Sequence, residues 1–270
     1  MHQLRSRLLQ AALACATLHT TAWAQPGRSP EEPRTWFTLQ ALAGQWKMQT
    51  RGDSFNSEPG STISAENELG LPRSRVLPGI TFGRRIGQHW HIKVGHAQAR
   101  RQGSAVLTRD LTVDGSTYLA GSTLQTRMGL STLGVLGGWS TQVAPGTEMG
   151  VLLGGQWVSV SRRLQRAGQP DDETYDERDS APEFVLGAQA QHALSDHWRL
   201  DGRVTASPAG NYQATLGVQW RADRHLYLSA GYRVTRHQLD VESFTLIGWP
   251  SRLVVNATIH GPLLTATVAF

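Results

Sequence analysis

The chain has 270 residues, with 26 Lys+Arg against 21 Asp+Glu, a formal charge of +5 and a single cysteine. The basic residues are spread along the whole length rather than gathered on one face or tail, which argues against a nucleic-acid binder. No apolar run approaches the roughly 20 residues that a membrane-crossing helix needs, whereas the half-apolar strands of a membrane barrel are not excluded.

The N-terminal stretch "MHQLRSRLLQAALACATLHTTAWAQ" carries Arg5 and Arg7, then an apolar run over 8–18, then Ala22-Trp23-Ala24. A positive start, a short apolar core and an A-x-A site predict a secretory signal peptide over 1–24, cleaved after Ala24. One domain then runs over 25–270 and keeps 24 of the 26 basic residues, so 24 − 21 leaves a charge of +3. A competing reading takes Cys15, in "ALAC", as a lipoprotein cysteine, although Ala12 stands where a leucine is favoured. With Cys15 lost in the leader, no disulfide and no thiolate chemistry is expected.

Period-two alternation predicts strands over 37–50, 76–86, 90–99, 118–143, 149–163, 184–192, 198–206, 212–221, 226–235 and 253–270. The pattern is clearest in "WRLDGRVTA", where Trp198, Leu200, Gly202, Val204 and Ala206 alternate with Arg199, Asp201, Arg203 and Thr205. Strands of nine to eleven residues with aromatics at the ends of the apolar face suit a bilayer. The stretch 118–143 changes parity near "GLSTLG" and reads as one bulged strand or as a hairpin. A bulge is also expected at Gly261-Pro262, because proline donates nothing to a ladder.

Long polar connections over 51–75, 100–117, 164–182 and 238–251 alternate with short ones near Gly87, Pro145, Ser195 and Asp223. Only "SPAGN" breaks that rule. Barrels of this kind place long loops outside the cell and short turns in the periplasm. The predicted fold is all-β: a transmembrane antiparallel up-and-down barrel of about ten strands, with eight and twelve left open. A soluble antiparallel sandwich also alternates. The leader and the charged mid-strand face favour a barrel, whose closure removes the sheet edges that lipid does not tolerate.

Leu264, Ala266, Val268 and Phe270 share one face of the final stretch "GPLLTATVAF". This ending resembles the closing strand of bacterial outer-membrane β-barrels of small proteobacterial type, which commonly finish on phenylalanine. The resemblance implies that these four residues form the signal read by the outer-membrane insertion machinery. It also implies a place in the cell outer membrane, in contact with its lipid and lipopolysaccharide. It is specific for location and weak for activity.

Eight polar residues on three adjacent strands are predicted to line the lumen: Arg199, Asp201, Arg203, Gln213, Gln219, Arg221, Tyr227 and Arg233. They read as a hydrogen-bonded plug with Asp201 between arginines, or as a narrow cationic channel that favours anions. The acidic run "DDETYDERD" (Asp171, Asp172, Glu173, Asp176, Glu177, Asp179) lacks the spacing of a calcium loop. It reads as a solvated loop, or as a bridge through divalent cations to lipopolysaccharide phosphates. In "HWHIKVGH", His89 falls at a turn, while His91 points inward with Lys93 and has no carboxylate partner for a metal site. No metal and no other cofactor is expected. His237, Asp240 and Glu242 fall at the outer rim. The omptin proteases, also ten-stranded, carry an Asp/His arrangement there, but their paired-aspartate pattern is not found. Nor is the His-x-Ser motif of barrel lipid A deacylases. The expected function is non-enzymatic: structural, adhesive or a narrow pore. An anion-leaning porin and a lipopolysaccharide-modifying enzyme are the alternatives. Substrate and oligomeric state are not legible.

Overall fold

A computed structural model describes residues 34–53, 60–113, 116–168, 175–244 and 250–270. The predicted leader, its cleavage site and Cys15 lie outside the described residues. In chain order the strands are β1 (Thr35–Asp53), β2 (Ile63–Ser64), β3 (Ser74–Ile86), β4 (Trp90–Val106), β5 (Leu111–Val113), β6 (Ser116–Tyr118), β7 (Thr123–Ala144), β8 (Thr147–Arg166), β9 (Tyr175–Ala193), β10 (Trp198–Ala206), β11 (Tyr212–Arg221), β12 (Leu226–Phe244) and β13 (Pro250–Ala269). Ten of them form an antiparallel wall in which each pairs with its neighbour along the chain, and β13 closes back onto β1 from Trp36↔Ala269 to Asp53↔Arg252. The short β2 pairs with β1 at Gln49↔Ser64 and Thr50↔Ile63, and the β5–β6 hairpin is a separate sheet. The closed up-and-down barrel is therefore the fold, with 118–143 contributing one wall strand.

Two local expectations are corrected. β7 keeps its parity through "GLSTLG", and its register shift lies at Gln142/Ala144, close to its short turn. β13 has no bulge at Gly261-Pro262. Its ladder to β1 opens there, yet Leu42↔Leu263 and Gln45↔His260 keep one register. Glycine is needed at 261 because a Cβ would meet the Ala43 carbonyl oxygen.

The parity of β7 looks broken because the two faces exchange polarity partway along it. Near the short-turn end the outward residues are Leu133, Val135 and Trp139, and the inward ones, Leu136 apart, are small or polar: Thr132, Gly134, Gly138 and Ser140. Toward the long-loop end the outward residues are Gln125, Arg127 and Ser131, and the inward ones are Leu124, Met128 and Leu130, all buried. β1 repeats the exchange, from outward Phe37 and Leu39 to outward Gln45 and Lys47, with Trp46 and Met48 buried inside. β8, β12 and β13 do the same. Alternation continues throughout, but the surroundings change. One half of the barrel has an apolar outer face, and the other has a polar outer face and an apolar core within.

Aromatic side chains mark the limits of the apolar belt. Outward Trp90, Trp139, Trp198, Trp220 and Phe270 ring the short-turn end, with Trp90↔Trp139 and Trp198↔Trp220 directly paired. The rings of Trp198 and Trp220 lie 6.4 Å apart. Outward Trp157, Phe184, Tyr212 and Tyr232 sit toward the other side. Such paired girdles flank an apolar band about 25 Å tall. β10 and β11, of 9 and 10 residues, are just long enough to cross it at the usual tilt. β7, β8 and β13, of 22, 20 and 20 residues, continue well beyond. Much of what composition marks as polar loop is therefore strand, because a strand standing in water carries polar residues on its outer face.

Candidate functional site

The long-loop half of the lumen is stoppered. The connection between β1 and β3 folds inward and contributes Ile63, Ala65, Leu69 and Leu71, each at most 2% exposed. They join Leu42, Trp46 and Met48 of β1, Leu124 of β7, Val158 of β8 and Leu253, Val255 and Ile259 of β13 in one core. Leu111, Val113 and Tyr118 of the β5–β6 hairpin close it from above. Ser61 N–H donates to the Thr112 carbonyl at 2.9 Å, tying the two connections together. The inserted segment lies so close to β4 that Gly103 faces the Gly70 carbonyl, and Gly70 itself has φ 65°. No other residue fits that turn and approach without strain.

A buried ion pair pins the segment. Arg101 Nη1 donates to Glu66 Oε1 at 2.6 Å, with the two side chains 2% and 5% exposed. The other oxygen of Glu66 accepts from Met48 N–H at 3.0 Å, and Arg101 also donates to the Pro72 carbonyl at 3.2 Å. The guanidinium lies 4.6 Å from the centre of the Trp46 ring. Both carboxylate oxygens of Glu66 and the Nη1 donors of Arg101 are thus occupied, as a buried charge requires.

Below the stopper is a cavity of about 130 Å³. Its lining mixes apolar Leu77, Leu130, Leu136, Val185 and Ile259 with Gln40, Lys93, Arg203, Thr205, Gln213, Arg233, Thr235 and His237. None of its lining residues is a carboxylate. Arg203 and Arg233 stand in one cross-strand row with Thr215 between them. Arg233 donates to Gln40 Oε1 at 3.0 Å and to Thr215 Oγ1 at 3.3 Å, and Lys93 Nζ to Gln189 Oε1 at 3.0 Å. All three acceptors are neutral. Arg203 Nε and His237 Nδ1 are buried with no hydrogen-bond partner among the described residues.

Of the eight predicted lumen residues, the structure brings Arg203, Gln213 and Arg233 together at this cavity. Arg199 lies lower and donates to Gln191 Oε1 at 3.2 Å. Gln219, Arg221 and Tyr227 share the inward parity near the short-turn end, with Arg221 exposed. Asp201 is inward too, within electrostatic reach of Arg203, Lys93 and Arg199, and makes no direct ion pair among the described residues. The direct charge contact of that region is instead Arg85 to Glu148 at 3.5 Å, with Ser140 Oγ donating to the same carboxylate. Leu264, Ala266, Val268 and Phe270 all face outward, Leu264 62% and Phe270 63% exposed.

His89 lies in a turn and bonds the Ser140 carbonyl at 3.0 Å, and His91 is buried inward. His237 is not at an open rim: it points into the lumen and is buried, while Asp240, on the opposite face of β12, takes both nitrogens of Arg252 at 2.6 and 2.7 Å. The side chain of Glu242 lies outside the described residues, as do Asp171, Asp172 and Glu173. The rest of the acidic run is strand rather than loop. Asp176 approaches Arg163 at 3.5 Å, and Asp179 is buried. Gln40 and Thr205 went unmarked in the sequence, although each is a polar inward member of its strand.

Asn211 closes one side of the site. β10 and β11 stop where β9 and β12 continue, and the Asn211 side chain spans that gap, donating to Glu183 of β9 and accepting from the Gln238 backbone N–H of β12.

No family model matches the chain, and no curated protein matches it. Among solved structures it is similar to the outer membrane protease OmpT of Escherichia coli, with 8% identity over 91% of this chain and 99% of that one and a TM-score of 0.56. It is also similar to the translocator domain of the autotransporter NalP of Neisseria meningitidis, with 12% identity, 96% and 95% coverage and a TM-score of 0.42. Neisserial surface protein A matches at 14% identity, 87% and 97% coverage and a TM-score of 0.33. The likeness to OmpT shows the fold. That fold is an outer-membrane type of β-barrel.

Proposed function

We propose that this chain is a closed, non-enzymatic barrel of the cell outer membrane, structural or adhesive in role. The apolar stopper carries this reading: a lumen filled by Ile63, Leu69, Trp46, Met48 and their neighbours has no water path across the long-loop half. On this reading the long-loop half faces outside the cell, residues 1–24 are removed on export, and outward Leu264, Ala266, Val268 and Phe270 direct insertion. Lipopolysaccharide is the expected lipid partner. Lys47, Arg100, Arg127, Arg178 and Arg236 are exposed on the outward face beyond the apolar belt, at the level where phosphate head groups lie. A protease-like site is not favoured, because His237 and Asp240 fall on opposite faces of β12.

The test is planar-bilayer conductance of the refolded protein beside a variant lacking 61–72. A flat trace for the full chain and discrete current steps for the variant are expected. Stable steps from the full chain would overturn the closed reading.

A further inference from the structure

We propose that the lumen cavity is a binding site for a short-chain carboxylate, an anion with a small apolar tail. The inference rests on the closed lumen argued above, which shuts the site off from the long-loop side. Three cations, Lys93, Arg203 and Arg233, converge on one small space with no carboxylate in its lining. Their protein partners are an amide or hydroxyl oxygen, or in the case of Arg203 Nε nothing among the described residues. The three are half-buried, and Asp201 and Glu148 act on Lys93, and Asp201 on Arg203, only through space, so cations confined here lack a direct counter-charge, which is costly. An anion that accepts from Arg203 and Arg233 together removes that cost, and guanidinium groups suit a carboxylate through paired N–H donors. His237 Nδ1, also unpartnered, faces the same space.

The apolar part of the lining selects the rest of the ligand. Leu77, Leu130, Leu136, Val185 and Ile259 offer no hydrogen bond, so an all-polar anion such as phosphate meets surface that a short alkyl tail fills better. The cavity of about 130 Å³ admits a carboxylate with a few methylenes.

Full-length protein folded in detergent is titrated with sodium hexanoate by calorimetry at fixed ionic strength, beside hexanol, hexylamine and inorganic phosphate. One saturable site for hexanoate is expected, with phosphate weaker and no saturable site for hexanol or hexylamine. Arg233→Gln should weaken hexanoate at least tenfold. Arg203→Gln should do the same while raising the melting temperature of the ligand-free barrel, because it removes an unpartnered buried charge. A fall in that temperature would mark Arg203 as structural glue and overturn the proposal. So would equal binding of hexylamine, tighter binding of phosphate, or no saturable hexanoate site on folded wild type. Conductance separates the two readings. A non-conducting barrel without hexanoate binding sinks the site alone, and a conducting barrel that binds hexanoate sinks the closed lumen alone.

Discussion

Glu66 is the residue on which the stopper turns. It satisfies Arg101 and the Met48 N–H at once, inside an apolar core. Glu66→Ala leaves Arg101 buried without its counter-charge, a loss of about 3–5 kcal/mol. A fall in the urea midpoint of the detergent-folded barrel checks this, and an unchanged midpoint would mean the pair is solvated. Asp240 and Arg252 make the opposite case. Their side chains are 47% and 45% exposed, so Asp240→Asn should change stability by less than about 1 kcal/mol despite good geometry. The hydrogen bond from Arg252 holds the Asp240 carboxyl below its ordinary range. A depressed folded value gives a contribution that is full above the unfolded pKa of about 4 and lost only as pH falls further. Urea midpoints measured from pH 7 down to 3 should therefore converge for wild type and Asp240→Asn only at the acid end. Residues of this kind were hard to see in the sequence. Asp240 lay near His237 in number, but a period of two sends them to opposite faces. Glu66 and Arg101 are 35 positions apart and meet only through the fold of a connection.

At the level of single strands, β7 fixes where hydrocarbon ends. Val135 faces outward within the apolar belt, whereas Ser131 faces outward beyond Leu133, where the face turns polar. Val135→Arg should cost about 2–4 kcal/mol in lipid vesicles, and Ser131→Arg close to nothing. Equal losses for the two would move the boundary. The strands that cross only the belt, β10 and β11, were legible to the residue, because one environment acts on their whole length. The longer strands were legible over most of their length, and past the exchange of polarity 37–50, 118–143 and 149–163 still read as strand. Outward Arg100, Gln102 and Ser104 of β4 and Arg178 and Ser180 of β9 instead read as loop composition, although buried Arg101 and Asp179 keep the alternation going.

The whole barrel combines two solvents in one wall, and its expected behaviour follows from that division. Replacing Lys47, Arg127 and Arg236 together by glutamine should weaken attachment to anionic lipid by about 1 kcal/mol per charge. Lipopolysaccharide retained on the purified protein would report it, and full retention would remove these residues from the lipid contact. Strand number and closure could be read from the chain because loop lengths alternate, with 118–143 kept whole. The cavity could be read only in part. Arg203 and Arg233 were marked by inward parity, but Lys93, Gln40 and His237 reach the same space from β4, β1 and the upper part of β12, and no local pattern links those strands.

The shortest hairpin sets a waterline. Above Asn211, residues 175–185 of β9 and 237–244 of β12 have no ladder partner on the sides that face each other. Their free N–H and C=O groups can be hydrated but cannot be left in an acyl-chain environment. The barrel is therefore intolerant of thick bilayers on this one side. Each added ångström of hydrocarbon brings unpaired peptide groups toward lipid at β9 and β12. A barrel with such a notch tilts, or thins the leaflet beside it, to keep the notch wet.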